Sequence, residues 1–160
     1  MIGSFRILLI VSLAILSVPS VFADGNDADK VSVHVRTVMA TEPKMASTGQ
    51  SPIIDSRLQD LALKFQKLQF RTFKLVSSQT RVVGLERKEV MSIGSGNTLM
   101  LRPISMDKNR VGMWIKWTDS AGVEVLDTRM HFECGDSMIT GADHTGDSGI
   151  ILAIDVEPVK

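Results

Sequence analysis

The stretch "KVSVHVRTV", Lys30 to Val38, alternates strictly, with Val31, Val33 and Val35 on one side and Ser32, His34 and Arg36 on the other. Successive side chains of an extended chain point to opposite faces, so this pattern predicts a half-buried strand. The same period of two returns at Phe70 and governs nearly everything after it. "FRTFKLV" and "RKEVMSI" read as strands joined through Gly84. "GSGN" then turns the chain into "TLMLRPISM", "DKN" into "RVGMWIKWT" and "DSAG" into "VEVLDTRMHF". "GIILAIDVEP" is the last clear strand. Short turns of this kind join antiparallel neighbours, because parallel strands need long crossovers.

One segment follows a different period. After "MATEPKMASTGQSP", a mix of Pro, Gly, Ser and Thr that reads as a flexible loop over Met39 to Gln50, Ser51-Pro52 resembles an N-cap followed by proline at the first helical position. Ile54, Leu58, Leu61, Phe65 and Leu68 then recur at helical spacing, with Asp55, Arg57, Gln59, Asp60, Lys64 and Lys67 on the other face. This predicts an amphipathic helix to about Leu68. The fold expected is mainly β (α+β): an antiparallel, sandwich-like sheet of six or more strands with one amphipathic helix near the start of the mature chain. Residues 24–50 supply the first strand and the loop, and 51–160 the helix and remaining strands, together one domain.

The beginning of the chain, "MIGSFRILLIVSLAILSVPSVFADG", has Arg6, an apolar run from Ile7 to Val18, a break at Pro19 and small residues around Phe22. This is the pattern of a signal peptide over residues 1–23, cleaved before Asp24, with a retained anchor as the alternative. The expected location is therefore periplasmic or secreted, with no stable membrane span after cleavage. No cysteine lies at that site to carry a lipid. Eighteen Lys and Arg face eighteen Asp and Glu. Loss of Arg6 with the leader leaves the mature chain one charge negative, so no basic field points to nucleic acid. Cys134 is the only cysteine. It can form no internal disulfide, leaving a buried thiol or an intermolecular bridge.

Register can be read one step further. Leu99 and Leu101 share a face with Val111, Met113, Ile115 and Trp117 if the loop at Asp107 to Asn109 has odd length. Trp114 then falls on the opposite face beside Arg102, with Met100, Ile104 and Lys116 around it. Beneath the helix, Trp114 would be core, which is the favoured expectation. Open to solvent, Trp114, Arg102 and Lys116 would form a partner-binding patch.

Three chemistries compete with simple structural roles. "HTGDSG" contains the residues that flank the nucleophile of chymotrypsin-like proteases, which would make Ser148 a nucleophile with His144, His34 or His131 as base. The chain is too short for two six-stranded barrels, and a turn launching the closing strand is preferred, with Ser148 exposed and unpaired. Gly135-Asp136-Ser137 similarly resembles the serine block of GDS(L) hydrolases but sits too near the end of the chain for that architecture. The stretch "MHFECGDSMITGADH" concentrates copper-type ligands: His131, Cys134, Met138 and His144. Alternation sends His131 and Cys134 to opposite faces, so no metal or other cofactor is expected.

Taken in order, "VHVRTVMA", "DSRLQDL", "FRTFKLV", "TLMLRPI" and "GDSMITG" leading to "GIILAI" resemble uncharacterised small exported β-rich proteins of Gram-negative bacteria. That resemblance implies an exported β domain and no particular activity. The function expected is a soluble, non-enzymatic domain that binds or helps assemble an envelope protein or surface complex, the partner being another envelope protein or a second copy. A periplasmic copper-type metal-binding protein is the alternative, and a small serine hydrolase the third reading.

Overall fold

The computed structural model describes residues 30–43, 51–143 and 147–159. The expected signal peptide, the segment 44–50 of the expected loop, and His144 lie outside these residues. Among the described residues nine strands form two sheets: β1 (Lys30–Pro43), β2 (Ile53–Ile54), β3 (Phe70–Gly84), β4 (Glu89–Gly94), β5 (Asn97–Asp107), β6 (Arg110–Thr118), β7 (Glu124–Glu133), β8 (Met138–Asp143) and β9 (Ser148–Pro158). One sheet has the order β2-β3-β1-β9-β8 and the other β4-β5-β6-β7. All pairings are antiparallel except the two-residue bridge of β2 to β3. Among the described residues no helix is long and apolar enough to cross a membrane.

The expected alternation builds the sandwich. Val31, Val33 and Val35 of β1 and Ile150, Leu152, Ile154 and Val156 of β9 meet Leu99, Leu101, Val111, Met113, Ile115 and Trp117 of the other sheet in one buried cluster. Part of the second face of the five-stranded sheet, under the helical unit, is buried as well, which explains the unbroken apolar run "IILAI" in β9. Ile151 and Ala153 point away from the sandwich and meet Val38, Ala40, Phe73, Leu58, Leu61 and Phe65.

Two bulges set which residues reach these faces. Between Thr37 and Val38 the partner in β3 jumps from Ser77 to Leu75, so Val76 is the extra residue. The jump reverses the phase of β3 and turns Phe73 and Leu75 to the outer cluster while Val83 stays in the inner one. In β5 the jump falls at Ile104, between Pro103 paired with Met113 and Ser105 paired with Gly112. The turn itself is even, since Asp107 pairs with Arg110 across Lys108 and Asn109. Leu99 still faces Trp117, and Arg102 still faces Trp114. The expected faces are correct, and the odd residue is a bulge at Ile104 rather than part of the loop.

The expected continuous helix from Ser51 to Leu68 is corrected to a short two-part unit. Ile53 and Ile54 pair with Thr72 and Phe73 as β2. A 3-10 helix then spans Ser56–Leu61, and one α-turn, α1, spans Ala62–Phe65. Asp55, not Ser51, is the N-cap, and its carboxylate accepts from the Arg57 N–H at 3.1 Å and the Leu75 N–H at 3.3 Å. These bonds fasten the helix start to β3, and the apolar face of a unit too short to stand alone is held by the sheet. Phe65 stacks on Phe73 with ring centroids 4.4 Å apart. The first strand is longer than expected, running to Pro43 and taking over the start of the predicted loop.

Candidate functional site

The outer face of the five-stranded sheet is apolar under the helical unit and polar beyond it. There a cleft of about 490 Å³ opens, with His34, Arg36, Asp60, Ser137 and Asp155 among its lining residues. Arg36 points outward by the alternation of β1 and lies opposite small Ala153, which leaves its side chain room. That side chain is only 9% exposed. Its Nη1 donates to Asp60 Oδ1 at 2.9 Å, and its Nη2 donates to Asp155 Oδ2 at 3.2 Å and Ser137 Oγ at 3.4 Å. Paired carboxylates are what make such burial of a guanidinium tolerable.

Ser137 donates its hydroxyl to Asp155, and His34 Nδ1 lies 3.3 Å from the other oxygen of the same carboxylate. The His34 Nε2 is 2.8 Å from Ser78 Oγ. Asp155 therefore stands between the serine and the histidine. A hydrolase of the GDS or chymotrypsin type needs the imidazole bonded to the nucleophile and the carboxylate behind it. For Ser137 the order is reversed, and among the described residues no imidazole serves it as base. His34 instead links Ser78 Oγ, at its Nε2, to Asp155, at its Nδ1, the connectivity of a triad, with Ser78 exposed on β3. Lys64 completes the cluster, donating to the Ser137 carbonyl and lying 2.5 Å from Asp136 Oδ1. Its ammonium holds the Asp136 carboxyl below the usual carboxylate range. The cleft thus ties α1, β1, β9 and the turn after β7 together.

The other predicted sites do not assemble among the described residues. Ser148 is not an exposed turn residue. It opens β9, paired with Thr41, and is half-buried. His34 pairs with Asp155, seven residues further along β9, which at ~3.3 Å per residue puts it far beyond bonding reach. His131 pairs with Gly112 on the outer face of the four-stranded sheet, whereas Cys134 and Met138 contact the inner cluster. No group of three or more His, Cys, Asp or Glu side chains is placed to hold a metal among the described residues. Cys134 is half-buried rather than buried, and desolvation pushes its thiol pKa up, which disfavours the thiolate needed for ligation or disulfide exchange.

Trp114 is the remaining candidate. Among the described residues the expected cover is absent, because the helical unit lies on the five-stranded sheet and Trp114 faces outward from the four-stranded one. The ring is half-buried by its neighbours alone. Its Nε1 donates to Asp127 Oδ1 at 2.6 Å, and Lys88 Nζ lies over the ring, 5.7 Å from its centroid. Register aligns Arg102, Trp114 and Arg129 in one row across β5, β6 and β7. Lys88, Arg102, Ile104, Trp114 and Arg129 line a pocket of about 150 Å³. Arg102 bonds Glu86, but among the described residues its buried Nε has no acceptor. Lys116, in the next row, lies 2.6 Å from Glu124 and 3.7 Å from Asp127, and its pKa is raised chiefly by the bond to Glu124.

Sequence reasoning named Trp114, Arg102 and Lys116 but missed Lys88 and Arg129. Arg129 could have been found by carrying the register across the next hairpin; Lys88 precedes β4, whose alignment no short turn announces. The fold and this surface define a two-sheet β-sandwich with an open aromatic and basic face. The chain matches no protein-family model, and no curated protein or solved structure matches it either.

Proposed function

We propose that this protein is an exported, non-catalytic binding domain that engages or helps assemble another envelope protein. The observation that carries the reading is the edge of the four-stranded sheet. Among the described residues β7 pairs only with β6, leaving a ten-residue strand with one side of its backbone free. The other edge strands are shorter: two residues in β2 and six each in β4 and β8. Where β3 extends past β2, Gln79 and Arg81 tie it to Ser92 and Glu89 of β4.

Natural proteins blunt long edges with proline, charged side chains, above all lysine, or strong bulges. β7 contains neither proline nor lysine, its charges, Glu124, Asp127, Arg129 and Glu133, are of mixed sign, and its register shifts only near its start, opposite Trp117 and Thr118. Such an edge suits strand addition, in which backbone bonds supply affinity and alternate side chains supply specificity. The leader-like N-terminus supports export, and among the described residues neither Ser137 nor Ser148 has an imidazole base. Labelling of Ser78, the serine bonded to His34, by a fluorophosphonate probe would contradict the non-catalytic reading.

Capture from an envelope extract tests this proposal. Wild-type protein is expected to retain a reproducible partner. Neighbouring N–H groups of a strand point to opposite sides, so one of Asp127→Pro and Thr128→Pro spares the β6 ladder. That variant should fold, as judged by circular dichroism, yet lose the partner. No captured partner and no self-association would overturn the reading.

A further inference from the structure

Among the described residues, neither Lys88 nor Arg129 has an ion pair, and Glu86 is the only acid bonded to the cations of the Trp114 pocket. Three cations, one aromatic face and an orphan Arg102 Nε thus surround a space of about 150 Å³. Like charges held together around a partly dry aromatic surface attract an anion, and guanidinium groups bond carboxylates with charge-assisted geometry. The pocket is the size of a side chain, and its outermost cation, Arg129, belongs to the free strand β7. Resting on the proposed binding function, we infer that this pocket receives a carboxylate side chain from an extended acidic segment of the partner, seated along β7.

The charges along β7 favour a peptide over a uniformly anionic surface. Its outward residues read Glu124, Asp127, Arg129, His131 and Glu133, with Val125 the extra residue of the bulge, so the acidic positions on either side of Arg129 repel a lipid headgroup layer while a strand can match each in turn. Cross-strand opposite charges stabilise a pair and like charges disfavour it. A matching segment carries an acid facing Arg129 and a neutral or basic residue facing Asp127.

The two tryptophans provide the assay. Trp117 is 1% exposed and bonded to Asn97, so its indole signal is an internal control for Trp114. Purified protein labelled with nitrogen-15 is titrated with an alternating valine–threonine peptide bearing one central glutamate, and separately with its glutamine analogue. The glutamate peptide should shift Trp114 saturably and leave Trp117 in place. The glutamine peptide should bind about tenfold more weakly. Arg129→Gln should remove that preference without weakening the glutamine peptide.

Equal binding of the two peptides, or a preference that survives in Arg129→Gln, would overturn the assignment. So would a Trp114 shift produced by phosphatidylglycerol vesicles but not by peptide. If envelope capture persists undiminished in Lys88→Gln and Arg129→Gln, the binding function stands and this pocket is not its site.

Discussion

Trp114 and Trp117 lie three residues apart on one strand, and alternation sends them to opposite fates. Trp117 is core, its Nε1 donating to Asn97 Oδ1 at 3.0 Å, and Asn97 is itself 2% exposed. Removing that acceptor leaves a buried N–H without a partner. Asn97→Ala should therefore cost about 1–3 kcal/mol, measured by urea unfolding. A variant within a few tenths of wild type would show that another group accepts the bond. Asp55 makes a different kind of contribution. Its bonds to Arg57 and the Leu75 N–H hold its carboxyl well below the usual range. The stabilisation is complete above the unfolded value of about 4 and is lost as pH falls through the folded one. Asp55→Ala should lower stability at neutral pH and flatten its acid dependence below about pH 4. A parallel downward shift of the whole pH profile would contradict this origin.

Strands were legible in this chain because their period is local; the helical unit was misread because its spacing is not unique. Ile54, Leu58, Leu61 and Phe65 occupy positions that suit a continuous helix, yet Ile54 belongs to a parallel bridge and Phe65 to a single α-turn. Asp55 decides the matter through its bond to Leu75, a contact across 20 residues that no local pattern announces. Bulges were hidden for a similar reason. The phase change at Val76 shows only when β1 is laid beside β3, and the one at Ile104 mimics an odd loop. Close packing at the second bulge is testable. A Cβ added to Gly112 would lie 2.4 Å from Ser105 Oγ. Gly112→Ala should destabilise by about 1 kcal/mol as Ser105 leaves its rotamer, and Ser105→Ala should recover most of that loss. Independent, additive effects in the double variant would place the strain elsewhere.

Over the whole molecule, the pairing of β1 with β9 joins residues far apart in sequence, which is why the Arg36 cluster could not be foreseen while the Trp114–Arg102 contact, made across one hairpin, could. The cluster's Arg36–Asp60 pair and Lys64 hold the helical unit to the sheet and the turn after β7, while His34 joins Ser78 of β3 to Asp155 of β9. The open chemistry lies on the opposite sheet. Binding there should weaken with salt, since Lys88, Arg102 and Arg129 sit at a half-exposed surface where screening acts. Peptide affinity should fall severalfold between low and physiological ionic strength, and salt-independent affinity would mean that the cations do not contribute. Capture from envelope extract by wild-type protein, set beside Trp114→Ala and Arg129→Glu variants of unchanged unfolding midpoint, tests the account most directly. It predicts one partner retained by wild type and lost from both variants. Equal capture by all three proteins would contradict the pocket as the binding site, and capture by none would contradict the binding function itself.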